Sequence, residues 1–133
     1  MTALILDASV AAAWLLDDGR EPRADAALAL IEESGGLVPP LWHLEVRNVL
    51  LTAERRGRIA ADRVHDRLAG LAELPIQTAA EPDLDQVLAL ARTHRLSVYD
   101  AVYLALARRH DAPLATLDAA LAGAAEAADV PSV

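Results

Sequence analysis

Short strand-like runs alternate along this chain with longer, alanine-rich segments that have a helical pattern. A run of two or three apolar residues is too short for a helix but suits a buried strand. Strands that are separated by helices pair in parallel, because the helix supplies the crossover between them. Aromatic residues make up only 3% of the chain, which disfavours an aromatic-rich β-sandwich. The pattern therefore predicts an α/β domain with a short, mainly parallel central sheet between helices.

The predicted elements follow from this pattern and from the positions of Pro and Gly. Seven helices are predicted, at residues 8–16, 22–34, 41–56, 61–73, 82–93, 97–109 and 118–127. Pro22 and Pro82 suit the first turns of their helices, and Gly57 stops another. Strands are predicted at residues 4–6, 37–38, 75–77 and 114–116, with Val130 as a candidate fifth, so the sheet has four or five strands. No repeat or linker interrupts the chain, and residues 1–133 are predicted to form one domain.

Two missing residue types exclude several kinds of chemistry. All 12 basic side chains are arginine, and without a lysine neither a Walker P-loop nor a Schiff base can form. Without cysteine, disulfides, thiolate catalysis and Cys-ligated zinc are excluded. The first residues have no basic start, and no apolar run reaches the roughly 18 residues that span a bilayer. We therefore predict a soluble, cytoplasmic protein with no membrane partner.

Charge is distributed unevenly along the chain. The net charge of −8 disfavours broad, non-specific binding to nucleic acid. Residues 47–67 nevertheless carry six arginines against three acids, which gives this segment a net charge of +3. The segment is either a basic contact surface or an ordinary solvated helix surface.

Four carboxylates lie inside or at the edge of apolar segments, where an unpaired acid is costly. They are Asp7, Glu45, Asp100 and Asp118. Asp7 and Asp118 follow predicted strands, and the working site of an open parallel sheet lies beyond the carboxyl ends of its strands. The alternative for each of these two is a helix N-cap, because an aspartate there accepts hydrogen bonds from the first free N–H groups.

Asp100 and Glu45 lie within predicted helices. Ser97 and Asp100 match a capping box, in which Ser97 is the N-cap and Asp100 reaches back to it. Glu45 lies in the middle of a helix, where no cap is needed, and Asn48 three residues on could hydrogen-bond to it and orient it. A solvated helix face is the alternative for Glu45.

Taken together, the four acids favour a divalent cation. If they converge, they repel one another unless a cation neutralises them, and Mg²⁺ and Mn²⁺ prefer carboxylate oxygens. The four histidines show no paired ligand spacing. Ser9 and Thr116 each lie two residues from an acid and could hold a carboxylate or a bound water, with helix capping as their alternative. The sequence therefore predicts an acidic metal pocket.

Four stretches form an ordered set over nearly the whole chain: LDAS at residues 6–9, PLWHLEVRNVL at 40–50, LSVYDAVYLALA at 96–107 and PLATLDAAL at 113–121. With these stretches the chain resembles PIN-domain ribonucleases, most closely the VapC-type toxins of toxin–antitoxin pairs. The resemblance implies a PIN-like fold and a Mg²⁺-dependent endoribonuclease in which Mn²⁺ can substitute. Asp7 and Asp100 would bind Mg²⁺ directly, whereas Glu45 and Asp118 would complete the shell or act through water.

The resemblance also implies supporting residues for the pocket. The polar supports would be Ser9, Asn48 and Thr116. Ala119 and Ala120 stand where some relatives carry a further acid, which leaves a second, firmly held metal without that ligand. The candidates to bind RNA phosphates, which guanidinium groups bind bidentately, are Arg47, Arg55, Arg56 and Arg58.

The partners that the resemblance implies are an RNA substrate, a VapB-like antitoxin and a second copy of the chain in a homodimer. The antitoxin would lay an apolar segment in a groove, for which the alanine-rich helix around Trp14 is a candidate; a helix buried on two sides is the alternative. A receiver or phosphotransfer domain also places an aspartate after its first strand, but it normally requires a lysine. A non-catalytic PIN-like module and a housekeeping RNA-processing nuclease remain as alternatives.

Overall fold

The computed structural model of this protein describes residues 3–16, 19 and 21–133, and within them the chain forms four strands and seven helices. The strands are β1 (Leu4–Leu6), β2 (Gly36–Val38), β3 (Ile76–Thr78) and β4 (Leu114–Ala115). The helices are α1 (Ala8–Leu16), α2 (Pro22–Ser34), α3 (Pro40–Arg55), α4 (Ala61–Ala72), α5 (Leu84–His94), α6 (Val98–His110) and α7 (Ala119–Ala127). The predicted α/β class, with its parallel sheet and seven helices, is confirmed for the described part of the chain.

The sheet is parallel throughout, with the strand order β3-β2-β1-β4. From β1 the chain builds outward through β2 to β3, and it then returns to place β4 on the other side of β1. The strand order therefore reverses between β1 and β4, and a crevice opens at such a switch point, beyond the carboxyl ends of the strands. Asp7 directly follows β1 and Asp118 follows β4, so the topology places both acids at this crevice.

The core surrounds β1 and α6. All three residues of β1 are buried, as in a central parallel strand that is covered on both faces. In α6, seven consecutive residues, 101–107, are buried, and the helix packs against α5, α7, β1 and β4. Ala101, Ala105 and Ala107 belong to this run, and their small side chains let neighbouring elements approach a helix that is buried on all sides. This packing holds the first turn of α6, which includes Asp100, against the edge of the sheet.

Two predicted strands were wrong in their positions. β3 begins at Ile76 instead of Pro75, because proline has no N–H to give to the strand ladder. Val130 does not form a fifth strand. An isolated parallel bridge joins Leu114 to Ser132 instead, so the sheet of the described chain has four strands.

The start of α5 also differs from its prediction. The helix begins at Leu84, because Asp83 is its N-cap and accepts a hydrogen bond from the backbone N–H of Asp85 at 2.9 Å. Pro82 therefore precedes the cap and does not lie in the first turn. None of the helices in the described segments is long and apolar enough to cross a membrane.

Candidate active site

The four acids lie on elements that meet at the carboxyl edge of the sheet. Asp7 directly follows β1, and Glu45 lies in the second turn of α3, which begins just after β2. Asp100 lies in the first turn of α6, and Asp118 is the N-cap of α7. Burial is the largest influence on the Asp100 carboxyl and, with the neighbouring charges, raises its pKa to about 6. Those charges come from Asp118, Asp7 and Glu45, so the four acids share one site.

Asp7 is the most buried of the four acids, with 6% of its surface exposed. Two hydroxyls hold its carboxylate: Ser9 Oγ donates a hydrogen bond at 2.8 Å and Thr116 Oγ1 donates one at 2.7 Å. Both bonds go to the same oxygen, Oδ2, and neither hydroxyl uses Oδ1. The Asp7 carboxylate is therefore held in one orientation, with Oδ1 left for another partner.

The backbone of the loop before α7 positions these two hydroxyls. The Leu117 N–H donates to Ser9 Oγ at 2.9 Å, and the Asp118 N–H donates to Thr116 Oγ1 at 3.0 Å. Because each hydroxyl oxygen accepts from a backbone N–H, its own proton is free to point at Asp7. Ser9 and Thr116 thus connect β1 with the segment that follows β4.

Asp100 and Asp118 form a pair of carboxyl groups at the N-termini of α6 and α7. After burial, the charge of Asp118 is the largest of the causes that raise the pKa of Asp100. Asp118 also caps α7, since its Oδ1 accepts from the Ala120 N–H at 3.3 Å. Ser97 caps α6 by accepting from the Asp100 N–H at 3.1 Å. Capping and membership of the acidic site are therefore compatible for Asp118, whereas only the Ser97 half of the predicted capping box forms in the described structure and the Asp100 side chain does not cap α6.

Glu45 is held by a residue that the sequence did not single out. The hydroxyl of Tyr103 donates a hydrogen bond to Glu45 Oε1 at 2.5 Å. Burial raises the pKa of Glu45 most and Asp7 raises it further, while the Tyr103 hydrogen bond lowers it. Asn48 does not provide the hydrogen bond expected from its helical spacing; it is exposed, and in the described structure Tyr103 takes that role. Helical spacing could have indicated Tyr103, because it lies three residues after Asp100 on α6 and so shares its face.

The arginines in the described part of the chain do not neutralise the four acids. Among the described residues, no arginine or histidine forms an ion pair with any of them. Arg47 is exposed and donates to the His43 carbonyl oxygen one helical turn earlier, at 3.0 Å. Arg55 ends α3, about 15 Å along the helix axis from Glu45 at the usual rise per residue. Arg56 and Arg58 follow it, so only Arg47 of the four predicted phosphate ligands starts near the site.

The PIN domain family matches residues 4–127 of this chain. The chain belongs to the PIN domain family. Its PIN domain is 37% identical over 123 residues to Ribonuclease VapC3 from Pyrobaculum aerophilum, an alignment that covers 90% of this chain and 92% of the relative. The family and the resemblance stated from the sequence motifs therefore agree.

Two solved structures share the fold of this PIN domain. The crystal structure of PAE2754 from Pyrobaculum aerophilum matches with a TM-score of 0.77 and 23% identity, over 99% of this chain and 84% of that one. The crystal structure of FitAcB from Neisseria gonorrhoeae matches with a TM-score of 0.56 and 24% identity, over 97% and 95% of the two chains. At these identities the two comparisons establish the fold.

The acids of this PIN domain fit a hydrated divalent cation. Within the described residues, no group of three Asp, Glu or His side chains is placed to hold a metal ion on its own. Mg²⁺ does not require such a cage, because it commonly binds through one or two carboxylates and keeps several waters. The oriented Asp7 carboxylate offers Oδ1. Burial first, and then the charges of neighbouring acids, raise the pKa values of Glu45 and Asp100, and a cation would offset those charges.

Proposed function

We propose that this PIN domain is a metal-dependent endoribonuclease that hydrolyses the phosphodiester bonds of RNA in the cytoplasm. The observation that carries the proposal is the cluster of four carboxylates at the switch point, which has no ion-pair partner among the described residues. A module that only bound RNA would gain nothing from this cluster, because it repels phosphate. The similarity to Ribonuclease VapC3 supports the same activity.

Mg²⁺ is the proposed cofactor, with Mn²⁺ as a substitute. Asp7, through Oδ1, and Asp100 would bind the ion directly, and Glu45 and Asp118 would complete its shell or hold its waters. A divalent cation in this place makes a water more acidic and offsets the charge that develops on the phosphate. A single ion is proposed, because Asp118 is followed by Ala119 and not by a further acid.

The residues around the pocket contribute by holding the acids in position. During hydrolysis a water oxygen forms a bond to phosphorus, the bond to the leaving ribose oxygen breaks, and that oxygen takes up a proton. Asp7 is held by two hydroxyls and Glu45 by Tyr103, so these carboxylates keep their orientation despite mutual repulsion. Ligands that are held before the ion and the RNA arrive require little reorganisation during the reaction.

Contacts to the RNA backbone are proposed at two distances from the pocket. Arg47, two residues after Glu45 on α3, would bind a phosphate near the cleaved bond. Arg55, Arg56 and Arg58 lie farther along and would contact the RNA strand away from that bond. Arg47, Arg55 and Arg56 are exposed, which leaves their guanidinium groups accessible to a strand that passes along α3.

Cleavage of RNA is expected to depend strictly on a divalent cation. Without one, the clustered carboxylates repel the phosphate, so the purified protein in EDTA should leave RNA intact, and added Mg²⁺ or Mn²⁺ should restore cleavage. The measurement is the appearance of RNA fragments over time, with Asp7→Asn protein prepared in the same way as a control for contaminating ribonuclease. Equal cleavage with and without EDTA, in excess of that control, would contradict the proposal. The absence of cleavage with every cation would favour a non-catalytic module.

We also propose that the protein is the toxin of a pair and that its partner is a VapB-like antitoxin. A groove of about 590 Å³ lies between α1 and α2, and its lining includes Ala13, Trp14 and Leu28. The indole N–H of Trp14 donates to the Ala24 carbonyl oxygen at 2.8 Å, which fixes the ring as a wall of this groove. An apolar antitoxin segment would occupy the groove. A substitution at Ala13 tests this better than one at Trp14, because removal of the Trp14 ring would also break its hydrogen bond to Ala24 and loosen α1 from α2.

Induced expression of the chain is expected to arrest growth of its host, and co-expression of a small DNA-binding protein encoded beside it should restore growth. Ala13→Arg should prevent this rescue, because its side chain enters the groove, and it should leave the growth arrest unchanged. The measurement is colony formation with the two genes under separate inducers. Full rescue of the Ala13→Arg variant would contradict the assignment of the groove, and an absence of arrest would favour a housekeeping nuclease.

A homodimer is proposed as the state of the free protein. Large apolar side chains are exposed on α5 and α6, which pack against each other, and they include Leu84, Leu88 and Val98. Exposed apolar side chains of this size on neighbouring elements are typical of a surface that another chain covers.

A further inference from the structure

Tyr103 is a buried polar group whose partner lies in the acidic site. It is one of two tyrosines in the chain, and its side chain is fully buried in α6. A tyrosine hydroxyl that is removed from water needs a hydrogen-bond partner. Its partner is Glu45, 58 positions earlier in the chain, and the bond from the hydroxyl goes to Oε1.

The Tyr103 hydroxyl joins two helices of the site. Tyr103 lies on α6, three residues after Asp100, and its hydroxyl donates to Glu45 on α3. One hydroxyl thus connects Glu45 with the helix that carries Asp100.

A purely structural role does not account for the choice of partner. Any backbone carbonyl would satisfy the hydroxyl of a buried tyrosine at no electrostatic cost. Tyr103 instead bonds to a half-buried carboxylate that already faces the charge of Asp7. The bond stabilises the ionised form of Glu45 without neutralising it, and it occupies Oε1 so that Oε2 remains for another partner.

We propose that Tyr103 is a positioning residue of the metal site, which holds Glu45 by one oxygen so that its other oxygen serves the bound cation. This inference rests on the proposed metal-dependent function. It predicts that the loss of one hydroxyl weakens metal binding even though the tyrosine ring never touches the metal or the RNA. Loss of a group that orients a metal ligand typically costs about 10- to 100-fold in metal affinity or activity.

The test compares Tyr103→Phe with Tyr99→Phe, which removes the hydroxyl of the exposed second tyrosine. Mn²⁺ alone is titrated into each metal-free protein, and free Mn²⁺ is followed by electron paramagnetic resonance. Tyr103→Phe should weaken Mn²⁺ binding by about 10-fold or more, and Tyr99→Phe should leave it at the wild-type value. With RNA and saturating Mn²⁺, Tyr103→Phe should lower kcat and leave KM unchanged. Unchanged Mn²⁺ affinity in a folded Tyr103→Phe protein would overturn the inference, even where wild type cleaves RNA.

A double-mutant cycle with Glu45→Gln separates positioning from general stability. If Tyr103 acts through Glu45, then Tyr103→Phe should weaken Mn²⁺ binding in the wild-type background and add nothing in the Glu45→Gln background. Equal losses of Mn²⁺ affinity in both backgrounds would overturn the proposal.

Should Tyr103→Phe fail to fold, Glu45→Asp replaces it, because that variant keeps the charge and draws the carboxylate away from the Tyr103 hydroxyl. Wild-type Mn²⁺ affinity in Glu45→Asp would then overturn it. Wild type that binds Mn²⁺ but cleaves no RNA would contradict the proposed function alone.

Discussion

Asp7→Asn is expected to abolish RNA cleavage and to leave the fold intact. Ser9 and Thr116 both donate to Oδ2 of Asp7, and an asparagine retains one oxygen that can accept both hydrogen bonds. The amide nitrogen then takes the place of Oδ1, and it cannot bind a cation. The loss of activity should exceed the roughly 100-fold that removal of an orienting group can cost, because a direct ligand is lost. The measurement is the single-turnover cleavage rate at saturating Mg²⁺.

Asp83→Asn is the matched control for this change. It removes one negative charge from an exposed N-cap of α5, and asparagine caps a helix about as well as aspartate. Both variants should show the wild-type circular dichroism spectrum, and Asp83→Asn should cleave RNA at the wild-type rate. Cleavage by Asp7→Asn at the rate of Asp83→Asn would refute the assignment of Asp7 as a metal ligand.

Asp100→Asn is expected to abolish cleavage as well, and to stabilise the metal-free protein near neutral pH. In the folded protein, burial and then the charges of Asp118, Asp7 and Glu45 raise the pKa of Asp100 from 3.8 to about 6. The ionised carboxylate is therefore less favourable in the folded chain than in the unfolded one. Asparagine carries no such charge, so in EDTA the variant should melt at a higher temperature than wild type. When Mg²⁺ is added to both proteins, the variant should melt at a lower temperature than wild type, because it lacks a ligand for the ion.

The sign of the pH dependence follows from the same shift. Because the pKa of Asp100 is higher in the folded chain than in the unfolded one, the carboxyl group of Asp100 stabilises the fold fully below pH 3.8. This contribution is lost as the pH rises through about 6. The melting temperature of metal-free wild type should therefore fall across this interval, and Asp100→Asn should lack that part of the fall, whereas Asp83→Asn should retain it. Added Mg²⁺ should raise the melting temperature of wild type again at the upper end of this pH interval, because the cation offsets the repulsion between the carboxylates. An identical pH profile for Asp100→Asn and wild type would contradict this account.

The helices were predictable because their signals are local. Ser97 as the cap of α6 and the positions of the seven helices follow from residues within one or two turns of one another. The errors at β3 and α5 were also local, since each depended on whether a proline lies inside or before the element. The error at the candidate fifth strand was not local. An apolar residue such as Val130 indicates burial, but it does not show which residue pairs with the sheet. That is decided by the contact of Leu114 with Ser132, which form the isolated parallel bridge.

The sequence alone determined which residues carry acids at the ends of apolar segments, and therefore that Asp7, Glu45, Asp100 and Asp118 were candidates for one site. The tertiary structure alone decided how the acids are held. Thr116 donates to Asp7 across 109 positions of the chain, and Tyr103 donates to Glu45 across 58. Those contacts depend on β4 lying beside β1 and on α6 crossing the sheet. Periodicity reports the face of an element that is buried but not the element it is buried against, so the partner of a buried hydroxyl is known only once the elements have packed.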